Sequence, residues 1–61
     1  MSKSFGLKLK DFRLDKGMSQ TELAVAIGVS LATIVRIEAG SDMSELVERK
    51  VKNYLKEQKA A

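Results

Sequence analysis

Residues 19–40 hold two serines and two glycines at intervals that leave room for little except two short helices and a tight turn. Ser19-Gln20-Thr21-Glu22 has the spacing of a capping box, in which the serine hydroxyl accepts the third helical N–H and Glu22 reaches back to the cap. Leu23, Ala24 and Ile27 follow at helical spacing, and Gly28 stops the run after about two turns. Ser30 caps a second run whose inner face carries Ile34 and Ile37, with Glu38 at the border and Gly40 as its stop. Two helices joined so tightly cross at about 90–120° and approach closely only over a small side chain. Ala24 supplies that side chain.

The flanking segments are also helical in pattern. Phe5, Leu9 and Phe12 recur at the spacing of one buried helix face over about residues 4–16, ended by Gly17, while Leu7 and Leu14 lie on a second, partly exposed stripe. Gly6 falls early in that helix, where a glycine costs least, about 1 kcal/mol. A last helix is expected over about residues 43–56, with fraying beyond it. Its apolar residues Met43, Leu46, Val47, Val51, Tyr54 and Leu55 cover nearly half its circumference, wider than the roughly 100° stripe of a helix packed on one core. Either all of them close the core, or part of the stripe is a self-complementary dimer face. The second reading is preferred, because three short helices offer too little surface to bury it all, and it assigns Leu46, Val47, Val51, Tyr54 and Leu55 to that face.

The chain has 61 residues and is read as a single domain, residues 1–61. A chain near 60 residues buries only about 60% of its unfolded surface, so its core is small. There is no Cys and no His, which excludes disulfides, the usual zinc sites, a thiolate nucleophile and a histidine base. Nothing supports an enzyme, and no cofactor or metal is expected. The formal net charge of +3 is a modest basic excess that suits nucleic acid and also an ordinary basic surface. No apolar run is long enough to span a membrane or to act as a signal peptide. The expectation is a soluble cytoplasmic protein of a bacterial cell, at large or on the nucleoid.

These residues resemble the phage repressor and Cro family, the Xre-type, lambda repressor-like helix-turn-helix domains. The likeness runs from Phe5 to Gly40. Phe5-Gly6-x-x-Leu9-x-x-Phe12-Arg13 is similar to the family's first helix. Met18-Ser19-Gln20-x-x-Leu23-Ala24-x-x-Ile27-Gly28-Val29-Ser30 is similar to its second helix and turn. Thr33-Ile34-x-Arg36-Ile37-Glu38-x-Gly40 is similar to its recognition helix. After Gly40 the chain departs from the family, with Ser41-Asp42-Met43 and room for one helix where members often carry a Pro-containing loop and two.

The resemblance implies an all-α bundle of four or five short helices, with the helix-turn-helix at about residues 19–39. It also implies a set of DNA-binding residues: Gln20, Ser30, Leu31, Ala32, Thr33 and Arg36. Gln20, at the start of its helix, is implied as a phosphate contact, against the plain alternative of a solvated polar residue in a capping box. Ser30 and Thr33 cap the next helix in either case, and a phosphate or base contact would be an addition. Leu31, Ala32 and Arg36 occupy the base-reading positions. Arg36 can take guanine O6 and N7 or hold a phosphate, while Leu31 and Ala32 suit thymine methyls. Leu31, Ala32 and Val35 are otherwise an apolar patch for a protein partner. Arg13 and Glu38 are expected to form a structural ion pair rather than to read DNA.

The function expected is a sequence-specific transcriptional regulator, a repressor that occupies a palindromic operator in double-stranded DNA as a homodimer, in a bacterium, phage or mobile element. The alternative is a protein-interaction module of the same fold, antitoxin-like or a regulatory partner.

Overall fold

The computed structural model of the chain describes residues 3–60, and the side chains of residues 5–58. Met1 and Ser2, and Ala61 at the fraying end, lie outside the described residues. The rest forms four helices and no strand: α1 (Lys3–Asp15), α2 (Gln20–Ile27), α3 (Leu31–Glu38) and α4 (Glu45–Ala60). The all-α bundle expected from the repeating apolar spacing is the fold observed.

Each boundary has a local cause. At the start of α2 the Ser19 hydroxyl accepts the Glu22 N–H at 3.0 Å, and the Glu22 carboxylate accepts the Ser19 N–H at 2.8 Å. This is the complete capping box. At the end of α2, Gly28 has φ +92°, a conformation a side chain would strain, and its N–H returns to the Ala24 carbonyl at 2.9 Å. Gly17 and Gly40 close α1 and α3 by the paired bonds of a Schellman turn. In α3 these run from Gly40 N–H to Ile37 and from Ser41 N–H to Arg36. The α4 start lies at the Ser44 hydroxyl, which accepts the Val47 N–H at 3.2 Å. The helix continues through Ala60, one turn past the expected end near Lys56. Glu57-Gln58-Lys59-Ala60 contains good helix formers and no Gly or Pro to stop it.

The core is Leu9, Leu23, Ala24, Ile34, Ile37 and Val51, with at least one residue from every helix. Phe5, Phe12, Met18, Ile27, Val29, Met43, Val47, Tyr54 and Leu55 pack around it while half-buried. The axes of α2 and α3 turn by 111°, within the range expected for the joint at Gly28. α3 also packs against α1, and α4 packs against α2. The Tyr54 ring meets the Phe12 ring edge-on, 5.7 Å between centroids and 88° between planes, which ties α4 to α1.

Two expectations change here. Gly6 is not a glycine tolerated near a helix end. It is buried against the Ile37 carbonyl of α3, and a Cβ at this position would collide with that backbone oxygen. It lets α1 and α3 approach closely. The broad apolar stripe of α4 is also mostly core. At about 100° per residue, Val51 lies between Val47 and Leu55, with Tyr54 just beyond Val47 and Leu46 at the far edge of the stripe. Val51 is fully buried in the single chain and so cannot belong to a dimer face. Val47, Tyr54 and Leu55 are half-buried against the core, and only Leu46 stands out, 63% exposed.

Candidate nucleic-acid interface

The site is built on α3. Ile34 and Ile37 are its buried side and hold the helix against α1 and α2. Leu31, Ala32, Val35, Arg36 and Ala39 are all exposed. At about 100° per residue these five fall within one arc of about 140°. The helix therefore has an inner face packed in the core and an outer face that the other described residues leave exposed.

The helix ends carry the other polar residues. The Ser30 hydroxyl accepts the Thr33 N–H at 3.2 Å, and the Ser30 and Thr33 hydroxyl oxygens are 2.8 Å apart, one donating to the other. Both hydroxyls are thus engaged in capping α3. Arg36 leaves the last turn beside a cleft of about 220 Å³ bordered by Thr33, Asp42, Met43, Ser44 and Val47. No ion pair among the described residues involves Arg36.

The expected pair of Arg13 and Glu38 is present and larger than a pair. Arg13 Nε donates to Glu38 Oε2 at 2.8 Å and Nη2 donates to Oε1 at 3.0 Å, a two-pronged contact. Arg13 Nη1 donates to the Met18 carbonyl at 3.0 Å. Gln20 Nε2 donates to Glu38 Oε1 at 3.2 Å. One carboxylate, 5% exposed, thereby joins α1 to α2 and α3, and its guanidinium partner also grips the loop before α2. The hydrogen bond to Glu38 raises the Arg13 pKa above its ordinary value; burial opposes this and the attraction of the Glu38 charge adds to it. The guanidinium stays charged at any physiological pH.

Of the sequence-predicted DNA-binding residues, Leu31, Ala32 and Arg36 share the outer face of α3, and Ser30 and Thr33 sit at its N-terminal end. Gln20 stands apart from them, with one amide N–H committed to Glu38 and a second still available. Sequence reasoning missed this Gln20–Glu38 bond. The only sequence sign was that Gln20 opens α2 while Glu38 closes α3, and their approach depends on the 111° turn between the helices.

Comparison with known proteins agrees with the geometry. A family model described as helix-turn-helix matches residues 9–46, which run from the buried side of α1 through α2 and α3 to the start of α4. No curated protein and no solved structure matches.

Proposed function

The chain belongs to the helix-turn-helix family, of the Xre, lambda repressor-like type, and is a DNA-binding transcription regulator of that type; from that premise we propose that it is a repressor occupying a palindromic operator as a homodimer in the bacterial cytoplasm. The observation that carries the reading is the outer face of α3. Its side chains are exposed, Ile34 and Ile37 anchor the helix in the core, and it is set at 111° to α2. A helix so presented fits the major groove, which is about 12 Å wide.

In this reading Leu31, Ala32 and Arg36 meet base edges. Ser30, Thr33 and the second amide N–H of Gln20 meet phosphates and set the register of the helix on the duplex. Glu38 holds the Gln20 amide towards that backbone. Repression is by occlusion, because bound protein covers the promoter. A two-fold dimer sets two recognition helices about 34 Å apart, one turn of DNA. Leu46, with the accessible edges of Val47 and Tyr54, supplies the apolar part of the dimer face, and Val51 and most of Leu55 are left to the core. Equilibrium sedimentation checks the dimer: a monomer alone at high micromolar concentration contradicts it.

The exposed Leu31 and Val35 favour one other reading, a protein-interaction module using the same face. A gel shift on the DNA upstream of the chain's own gene, at two salt concentrations, separates the two. A regulator of this kind retards that DNA, and its log K falls linearly with log salt. No retardation at the lower salt concentration rejects the repressor.

A further inference from the structure

We propose that α3 selects its DNA site through the 5-methyl groups of thymines, with Arg36 as the one side chain on its outer face that donates hydrogen bonds to a base. The inference rests on the DNA reading above and names the sequence class that would be bound.

Three observations carry it. First, the outer arc of α3 is apolar apart from Arg36. Leu31 is 45% exposed and Val35 44%, and Ala32 and Ala39 lie beside them. Second, the neighbouring polar groups have other partners. The Ser30 and Thr33 hydroxyls are engaged with each other and with the helix end, and the Gln20 amide donates to Glu38. Third, the sole carboxylate of α3 is Glu38, which is turned inward onto Arg13. The exposed side of α3 therefore carries positive charge only, from Arg36, as suits a polyanion rather than a mixed-charge protein surface.

Major-groove chemistry does the rest. The only apolar group that a base pair presents there is the thymine methyl; guanine, adenine and cytosine present hydrogen-bonding atoms. A leucine or valine against a thymine methyl removes apolar surface from water on both sides. The same side chain against the cytosine amino group or guanine O6 strips water from a polar atom and returns no hydrogen bond. The face thus favours thymine over the other bases. The expected half-site is a short run of A·T pairs whose thymine methyls line up with Leu31, Ala32 and Val35, next to one G·C pair for Arg36.

The test is to select the bound sequence from random DNA with the full chain, and then to replace its thymines one at a time by deoxyuridine. This change keeps base pairing and removes only the methyl. A methyl buried against α3 is worth about 0.8 kcal/mol, so each critical replacement should weaken binding about fourfold. In Leu31→Ala and Val35→Ala, both at exposed positions, the thymine-to-uracil penalty should shrink at one base position each. A selected site bound equally well with uracil, or one without thymines at its most selective positions, overturns the methyl inference and leaves the DNA reading standing. Recovery of no DNA at low salt overturns the DNA reading itself, and the face then belongs to a protein partner.

Discussion

α3 and α4 divide their apolar residues in opposite ways. α3 has eight residues and puts two branched apolar side chains, Ile34 and Ile37, fully inside, while Leu31 and Val35 remain largely outside. α4 has sixteen residues and turns most of its apolar residues towards the core, with Val51 fully buried, Val47, Tyr54 and Leu55 half-buried, and Leu46 outside. A longer helix on a small bundle can cover the open side of the core. A short helix wedged between α1 and α2 is covered on its inner side already, and whatever apolar residues it carries beyond that side have no place inside. The exposed apolar residues of α3 are therefore not a spare part of the core, whereas the apolar residues of α4 other than Leu46 pack on it.

The sharpest way to break this contrast is a charge placed in each part of the α4 stripe. Val51→Asp buries a carboxylate without a partner, at a cost of several kcal/mol, enough to unfold a domain of this size. Leu46→Asp, exposed in the single chain, should change stability by no more than about 0.5 kcal/mol at protein concentrations low enough to keep the chain monomeric. Denaturant unfolding of both checks this, and equal losses would show that α4 does not divide its stripe as described. Next in size is Glu38→Ala, which leaves Arg13 charged and 11% exposed in its side chain with its main partner gone. A loss of about 3–5 kcal/mol is expected. Arg13→Met combined with Glu38→Leu should be more stable than either single variant; if it is not, the two side chains do not act as a pair.

Within α3 itself, Ile34→Ala should cost about 2–5 kcal/mol and Val35→Ala less than about 0.5 kcal/mol, measured by the same unfolding curves. A large loss at Val35 would show that the outer face packs on something within the chain. Gly6→Ala tests the other side of α3. The added methyl meets the Ile37 carbonyl, and the strain of separating α1 from α3 should cost about 1–3 kcal/mol.

The same contrast explains what could be read before the fold was known. The ends of α2 and α3 were legible because each signal is local: Ser19 and Glu22 are three residues apart, and Gly28 needs only its own backbone to end α2. The inner and outer faces of α3 were legible for the same reason, as was the Arg13–Glu38 pair once the family likeness was seen. Gly6 was not, because the atom that requires a glycine there is a carbonyl 31 positions on, in α3. The width of the α4 stripe was visible, but which part of it meets the core depends on where Phe12 and Leu23 leave an opening, a property of three helices together. Gln20 was read as outward-facing from its place at a helix start, and its bond to Glu38 arises from a helix crossing that no short segment encodes.

The outer face of α3 is the surface proposed to meet DNA. Equilibrium binding to the selected site and to random DNA, with Arg36→Ala and with Leu14→Ser as a control at an exposed position of α1, tests it. Arg36→Ala should weaken specific binding by about 1–3 kcal/mol with a much smaller loss on random DNA, while Leu14→Ser leaves both affinities unchanged. Specific binding undiminished by Arg36→Ala and by loss of Leu31 and Val35 together would place the DNA-binding surface elsewhere.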